Sequence, residues 1–336
     1  MIFLIPAAIL VVERYLGELF DFEDIHIHYT FPEQDLWDER TSSPPPILNI
    51  THTPVAHCGK GLLRFSDANN PKSHSLDSRK IPQIIHQTSN TRCLPRNLYK
   101  AAFKWLISRW SYYLHDDDAV DRLLQLGFPE FPHLQVIAND CLISRTAKTF
   151  LWRYLVLWAY GGVFVDLNFI PLKFNAKMIE PLHDGYFVID EKSGSVSPHF
   201  MAVSPKHPIM YYAVQRTLVN LLRAEDAGSI SSVETMGALA LQEALKEFQK
   251  DSGKKATGLH AGTVHGTEQR TIRIAGKLKG PDGLFESIFQ TEAGMIQEYE
   301  KMRRLDKNNK QKRSPCFRSI LEQTSAASKI VYTEKR

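Results

Sequence analysis

Two oxygen-bearing side chains, Asp166 and Asn168, stand two residues apart directly after a short apolar run. Residues at i and i+2 point the same way along an extended backbone, so these two side chains can face one ligand together. The run before them, residues 163–165, is β-branched and aromatic and apolar on both faces, which is typical of a buried central strand. In an open α/β sheet, ligands bind at the carboxyl ends of strands. We therefore expect a binding site at Asp166.

A helix must precede and position this strand. Apolar residues recur at helical spacing from Leu151 to Trp158, which predicts a helix over residues 144–160. Gly161 and Gly162 follow at once. Glycine adopts the left-handed backbone conformation without a Cβ penalty, so a glycine just past the last periodic residue is a common helix stop.

The rest of the chain after residue 81 alternates between the two kinds of segment. Further strands are predicted at residues 81–88, 135–137, 185–189 and 200–203, and further helices at residues 94–113, 119–126, 209–222 and 233–248. This alternation predicts an α/β fold with a mostly parallel central sheet flanked by helices. Neither G-x-G-x-x-G nor G-x-x-x-x-G-K occurs, which argues against a dinucleotide-binding fold and a P-loop.

Composition limits the class of protein. The chain has 336 residues, of which 43% are hydrophobic and 23% charged, enough for one large core or two modest ones. Its 41 basic and 37 acidic residues give a net charge of only +4, so there is no electrostatic case for nucleic acid as a partner. Part of the basic excess is local, in residues 301–313, and is interpreted as a solvated segment.

The amino-terminal residues indicate targeting. Residues 2–12 are continuously apolar, shorter than the ~20 residues that a membrane-spanning helix needs, and no Lys or Arg precedes them. Residues 1–15 are therefore predicted to be a signal sequence or a truncated signal anchor. A buried first strand or helix is the structural alternative.

Residues 16–80 are predicted to be a poorly ordered stem or linker, because residues 29–80 are rich in Pro, Ser, Asp and His and show no sustained period. The sequon Asn49-Ile50-Thr51 within them has meaning only in a secretory lumen. His26 and His28 could offer two imidazoles to a metal, although no Cys or carboxylate pattern accompanies them. The predicted catalytic domain is residues 81–336.

Two other sets of residues have side chains that could bind a metal. Asp116, Asp117 and Asp118 follow His115 and form an acidic run, but Asp116 or Asp117 is well placed to cap the helix at residues 119–126. The four cysteines are widely spaced without a C-x-x-C pair, which argues against a zinc module and permits up to two disulfides. They are Cys58, Cys93, Cys141 and Cys316.

Two separated motifs carry a resemblance to a known family. Residues 81–88 (IPQIIHQT) are followed by R-Y-x-x-L-x-x-x-G-G-x-x-x-D-x-N over residues 153–168, and together they resemble glycosyltransferase family 32, the group with a DXD sugar-binding motif. The similarity covers residues 81–208, with both motifs in the expected order. It implies a GT-A-like nucleotide-diphospho-sugar transferase fold and transfer with retention at the anomeric carbon.

The resemblance also implies roles for particular residues. Asp166 and Arg153 would be catalytic, and Asp166 with Asn168 would hold Mn²⁺ or Mg²⁺, which neutralises a nucleotide diphosphate as it leaves. Arg153 has a fork of donors suited to phosphate or sugar hydroxyls. The implied donor-binding residues are His86, Gln87, Thr88, Arg153, Tyr154, Gly161, Gly162 and Asp166.

The implied function is transfer of a hexose, of the mannosyl or galactosyl type, from a GDP- or UDP-sugar to a glycan or glycolipid acceptor. The expected location is the Golgi or another secretory lumen, as a type II membrane protein or a secreted one. A lipid-modifying transferase working at a membrane surface would show an exposed apolar patch beside the site.

The chain departs from the family pattern at two positions. Asn168 replaces the second aspartate of the motif and removes one negative charge, and Phe150 stands where the family has an Asp three residues before Arg153. The alternative hypothesis is therefore a non-catalytic relative that acts as a glycan-binding or partner protein. Candidates for the family's C-terminal metal ligand are His260, His265 and Glu298, and further carboxylates of undetermined position are Glu234, Asp190 and Glu191.

Overall fold

The structure is a computed structural model. It describes residues 47, 51, 57–65, 79–107, 109–126, 128, 130–131, 134–140, 145–190, 194–223, 234–250, 261–266, 270–279 and 283–288. The predicted signal segment, the sequon Asn49, the pair His26 and His28, two of the cysteines and the basic run 301–313 lie outside these residues.

Strands and helices alternate along the described residues. The strands are β1 Leu62–Arg64, β2 Ile84–Thr88, β3 Cys93–Pro95, β4 Ser111–His115, β5 Gly162–Val165, β6 Phe169–Pro171, β7 Gly185–Ile189, β8 Val196–Val203, β9 Gly262–His265, β10 Thr271–Lys277 and β11 Phe285–Ser287. The helices are α1 Arg96–Phe103, α2 Asp117–Leu124, α3 Leu134–Asp140, α4 Arg145–Tyr160, α5 Pro208–Arg223 and α6 Ala240–Lys250, with a 3₁₀ turn at Ala176–Met178 and a π-helical turn at Glu234–Leu239.

In the described part of the chain, the central sheet has seven strands in the order β4-β2-β5-β8-β7-β10-β9. The pairs β4/β2, β2/β5 and β7/β10 are parallel, whereas β5/β8, β8/β7 and β10/β9 are antiparallel. The predicted α/β class, with a central sheet flanked by helices, is confirmed. The pairings divide equally, so the sheet is mixed, because β8 returns antiparallel between β5 and β7.

Each face of the sheet carries its own apolar core. On β5, Phe164 points into a cluster with helices α2 to α6, and this side is called the helix-covered face. Val163 and Val165 point the other way, into a cluster with α1, β6 and β11, which is called the α1 face. The alternation follows from the period of two in a strand. It explains why residues 163–165 are apolar on both sides.

Helix α4 confirms the helix predicted over residues 144–160. Every residue from Phe150 to Trp158 is buried, since the helix lies inside the helix-covered core. The helix ends at Gly161, whose φ is 64° and whose N–H donates to Leu157 O at 2.8 Å. A Cβ on Gly162, with φ of 95°, would lie 2.7 Å from Ile84 O, so the glycine lets β5 approach β2 closely.

Two sequence predictions were wrong. The helix predicted over residues 94–113 ends at Phe103, and its last residues belong to β4, where Ser111 to His115 are buried and pair with β2. The strand predicted at residues 135–137 is part of helix α3. Its buried residues Leu134, Ile137 and Ala138 recur at helical spacing, and their burial against the neighbouring helices decides the conformation.

Part of the predicted stem belongs to the folded unit. Strand β1 pairs antiparallel with β3, and Cys58 forms a disulfide with Cys93 across this pair. Residues 57–65 are thereby tied to the start of α1. The structured part of the chain therefore begins before residue 81.

The acidic run after β4 caps a helix, as predicted. Asp116 is the N-cap of α2, and its Oδ1 accepts a hydrogen bond from Ala119 N at 3.0 Å. Asp117 pairs with Arg145 at 2.6 Å. Among the residues that the structure describes, no three His, Cys, Asp or Glu side chains are grouped so as to hold a metal ion. In the same residues, no helix has the length and apolar character needed to cross a bilayer.

Candidate functional site

The site is centred on the Asp166 carboxylate at the carboxyl end of β5. Its Oδ1 accepts from Arg153 Nη2 at 3.3 Å, and its Oδ2 lies 2.5 Å from His199 Nδ1. Its backbone N–H donates to His199 O at 3.0 Å, which fixes the loop to β8. The side chain is 20% exposed, so a ligand can reach it.

Several effects set the pKa of the Asp166 carboxyl group. Burial by itself would raise the pKa. The positive charges of Arg153, His199 and Lys279, together with the hydrogen bond from His199, outweigh burial and lower the pKa below its ordinary value. Asp166 is therefore a carboxylate at neutral pH.

Arg153 is buried on α4 and is held in one orientation. Its Nη1 donates to Pro198 O at 2.7 Å, while its Cζ lies 4.2 Å from the ring centroid of Phe150 and 4.6 Å from that of Phe164. Aromatic faces attract a guanidinium electrostatically. The Arg153 side chain is buried, so it supports the Asp166 carboxylate from the interior of the protein and is not exposed on the surface of the site.

Phe150 fills the position at which the resembled family has an aspartate. It is buried, stacks on Arg153 and packs against Gly237, where an added Cβ would lie 2.4 Å from Phe150 Cε1. Tyr154, also buried, donates from its hydroxyl to Gly237 O at 2.7 Å. Asp166 is thus the carboxylate that pairs with Arg153. The Tyr154 hydroxyl ties α4 to the π-helical turn, and donor binding by Tyr154 stays a prediction.

Two of the three predicted donor-binding residues on β2 are buried. Gln87 accepts from Tyr112 OH at 2.6 Å and donates from Nε2 to Asp166 O at 3.4 Å, so it supports the backbone of the site. Thr88 is partly exposed, and its Oγ1 is buried without a hydrogen-bond partner among the described residues. The parallel register of β2 on β5 carries Thr88 to the level of Asp166.

His86 lies inside the protein and does not face a ligand. Its Nε2 donates to Gly161 O at 3.0 Å, so its Nδ1 accepts from His115 Nε2 at 3.2 Å. Burial lowers the pKa of His86 to about 4, although the hydrogen bond to Gly161 opposes this. Burial, with the charges of His86 and Arg92, also lowers the pKa of His115 well below its ordinary value. This buried pair holds the glycine turn in place, and donor binding by His86 stays a prediction.

Asn168 is oriented by the small second sheet. Its Nδ2 donates to Ser287 Oγ at 3.2 Å, and its backbone carbonyl accepts from Ile288 N at 2.9 Å. This leaves Oδ1 as the amide atom available to a ligand. A carboxylate and an amide oxygen suit a hard cation, and Mg²⁺-type sites commonly use one or two protein ligands completed by phosphates and water. Asp166 and Asn168 carry oxygen atoms of the type that such a cation takes as ligands, and the described residues provide no closed protein cage for one.

His199 is the site residue that sequence reasoning missed. The strand predicted at residues 200–203 begins at Val196, and the antiparallel register of Val165 on Phe200 brings His199 beside Asp166. The imidazole is 33% exposed and packs beside the Phe169 ring at 5.7 Å between centroids. An antiparallel partner strand leaves no signal in a linear motif, so only the length of β8 could have indicated it.

The other candidates lie elsewhere. His265 is exposed on β9, at the far edge of the sheet from β5. Asp190 follows the carboxyl end of β7, which lies on the same side of the sheet as the carboxyl end of β5 and Asp166. Its backbone N–H donates to Ser195 O at 2.8 Å. The side chain of Glu234 and the residues Glu191, His260 and Glu298 lie outside the described part of the chain.

Comparison with known proteins identifies two similar curated proteins of Schizosaccharomyces pombe. Inositol phosphoceramide mannosyltransferase 3 is 26% identical over 157 residues, which are 46% of this chain and 42% of that protein. Inositol phosphoceramide mannosyltransferase 1 is 24% identical over 159 residues, which are 45% of this chain and 47% of that protein. The chain thus spans less than half the length of each.

No protein-family model matches the chain. A search of solved structures found the PaToxG glycosyltransferase, at 19% identity and a TM-score of 0.38, covering 52% of this chain and 71% of that one.

Proposed function

We propose that this protein is a glycosyltransferase that moves a hexose from a GDP- or UDP-sugar to a glycolipid acceptor, with retention at the anomeric carbon. The observation that carries the proposal is the Asp166 carboxylate. It is anionic, held between Arg153 and His199, partly exposed and set at the carboxyl end of the central strand β5. The similarity to two mannosyltransferases supports transfer of a mannosyl group.

Each residue of the site would have a distinct role in binding the sugar donor. Asp166 and the Oδ1 of Asn168 would hold Mn²⁺ or Mg²⁺, which when bound supplies positive charge to the departing diphosphate. Arg153 and His199 fix the Asp166 carboxylate from two sides, so little reorganisation is needed on binding. Lys279, whose charge acts on Asp166, lies on the approach to the site, with its Nζ 4.9 Å from the Phe169 ring centroid. It would add positive charge where the donor phosphates enter.

Acceptor and location belong to the same proposal. The similar proteins are named for inositol phosphoceramide, which supports a glycolipid acceptor. The Cys58–Cys93 disulfide supports an oxidising compartment, since such bonds persist in secretory lumens and are rare in the cytosol. A Golgi-type lumen satisfies both conditions.

One observation favours a second candidate, a nucleotide- or glycan-binding relative without transfer activity. Arg153 is held by Asp166, Pro198 and two aromatic rings, and Phe150 fills the place of a carboxylate. A protein of this kind would bind a nucleotide diphosphate and turn over no sugar.

Thermal-shift titration with UDP and GDP, each with and without Mn²⁺, tests the proposal. A ligand at 100 times its Kd stabilises the native state by about 2.7 kcal/mol, which is readily seen. We expect metal-dependent stabilisation by one nucleotide, lost in Asp166→Asn and kept in Asp190→Asn, which alters a carboxylate at the same edge of the sheet. Transfer of radiolabelled sugar to glycolipid then separates the enzyme from the binding relative. No shift with any nucleotide at millimolar concentration on the folded protein would refute the enzyme and favour a relative that binds glycan without a nucleotide.

A further inference from the structure

The exposed apolar side chains are unevenly distributed over the protein. Among the described residues, eight large hydrophobic side chains are exposed, and six of them lie on segments that cover the α1 face. These are Leu62, Leu63, Phe103, Leu172, Met178 and Leu182. Phe103 is 58% exposed, Leu172 55% and Leu182 71%. The other two, Leu126 and Leu239, lie on the helix-covered face.

The exposed charged side chains of the same segments are mostly basic. Within residues 96–107, 109 and 172–182, the exposed basic side chains are Arg96, Lys100, Lys104, Arg109, Lys173 and Lys177. Glu180 is the acidic residue of these ranges. The net charge of the whole chain is small, so this excess is a property of one surface. The exposed side chains of residues 96–107, 109 and 172–182 are called the basic apolar face.

The two segments of this face are in direct contact. Trp105 Nε1 donates to Phe169 O at 2.7 Å, and its ring lies 5.6 Å from that of Phe174. Phe103 precedes this contact by two residues on one segment, and Leu172 precedes Phe174 by two residues on the other. Phe103 and Leu172 are thus exposed side chains on two segments that these buried contacts join.

The face adjoins the candidate site. Strand β6 starts three residues after Asp166, and Leu172 follows its end. The backbone of this strand is fixed to β11, whose Ser287 also orients Asn168. A ligand lying on the basic apolar face would thus extend toward the Asp166 carboxylate along β6.

We propose that the basic apolar face docks on an anionic lipid surface, so that a glycolipid headgroup reaches Asp166 while its acyl chains stay in the bilayer. Apolar side chains interspersed with lysine and arginine suit the interface of a membrane that carries acidic lipid. The exposed charges of this face are six basic and one acidic, Glu180, and this one-signed excess favours an anionic lipid surface over a protein partner of mixed charge. The proposal deepens the proposed function by naming how its acceptor is presented.

Vesicle flotation of the full chain tests this proposal without any sugar donor. Vesicles of phosphatidylcholine alone are compared with vesicles that contain about a third phosphatidylinositol. We expect binding to the acidic vesicles, weakened about tenfold or more by Phe103→Ser with Leu172→Ser, and similarly by Lys104→Glu with Lys173→Glu. All variants keep the amino-terminal segment, so any contribution from it is common to them.

Matched controls are available on the opposite side. Leu126→Ser with Leu239→Ser removes exposed leucines of the helix-covered face, and Lys246→Glu with Lys250→Glu reverses charges on α6. Both should retain wild-type vesicle binding, and thermal unfolding verifies that every variant is folded. Equal weakening by the control pairs would overturn the proposal, as would unchanged binding by the test pairs. Binding to heparin without binding to vesicles would also overturn it. Vesicle binding is read independently of nucleotide binding, so failure of one does not imply failure of the other.

Discussion

The Arg153 guanidinium contacts the Asp166 carboxylate at 3.3 Å, although the two residues belong to different elements and are 13 positions apart. The aromatic rings of Phe150 and Phe164 also contact the guanidinium. Arg153 is therefore a buried residue that orients the Asp166 carboxylate and keeps it ionised, and Asp166 is the residue that a ligand would contact. This relationship explains how a chain with phenylalanine at position 150 can still present an anionic, oriented carboxylate.

Replacing Asp166 by Asn should remove the ligand-binding charge and leave Arg153 without its counterion. Loss of one partner of a buried pair costs roughly 3–5 kcal/mol, and partial exposure of Asp166 should reduce this to about 1–3 kcal/mol. Urea denaturation measures the loss. Asp190→Asn is the control, and equal stabilities of the two variants would show that the Arg153 pair contributes nothing particular.

Replacing Gly237 by Ala should overpack the contact with Phe150. An added Cβ would lie 2.4 Å from Phe150 Cε1, and such overpacking costs about 1–3 kcal/mol. The smaller side chain in Phe150→Leu should relieve it, so a double-mutant cycle should give a favourable coupling energy. Gly276→Ala is the matched control, because nothing lies within 4 Å of its added Cβ. Additive effects of the Gly237 and Phe150 substitutions would contradict the packing described.

Stability should fall as the pH falls from 6.5 to 4. In that window the unfolded chain protonates His86, whereas burial holds the pKa of His86 at about 4 in the native state, so the native imidazole stays neutral. One such group contributes up to about 1.4 kcal/mol per pH unit, or on the order of 3 kcal/mol across the window. Chemical denaturation at several pH values measures the slope.

The unfolding free energy should depend less steeply on pH in His86→Gln, by the contribution of about one bound proton. His265→Gln, at an exposed position on β9, controls for removal of a histidine as such. A slope that is unchanged in His86→Gln would mean that the buried pair does not account for the acid sensitivity.

Removing the Cys58–Cys93 disulfide should destabilise the protein. The two cysteines are 35 positions apart, and cross-linking a loop of that length stabilises the native state by about 4 kcal/mol in the chain-entropy description. The double variant Cys58→Ser with Cys93→Ser should therefore lose up to that amount in urea denaturation. The same loss should follow reduction of the wild-type protein. A stable double variant would show that β1 and β3 pair without help from the cross-link.

Local patterns in the sequence predicted much of the frame. Helix α4, its stop at Gly161 and the buried strand β5 were all predicted, as was the capping role of Asp116. The aromatic segment after α1 was not, because propensity could not tell a continued helix from the strand β4 that β2 requires as its partner. Strand β8 was found only in part, and with it His199 was missed.

The sequence alone determined where the chain turns and which strand ends in an acid, because these features depend on residues that are neighbours along the chain. Only the tertiary structure decided what surrounds that acid. His199 arrives on an antiparallel strand, Phe150 covers Arg153 only because Gly237 leaves room, and His86 is turned inward by Gly161 O. Each of these contacts joins residues far apart in sequence, and burial and charge act through distance in space.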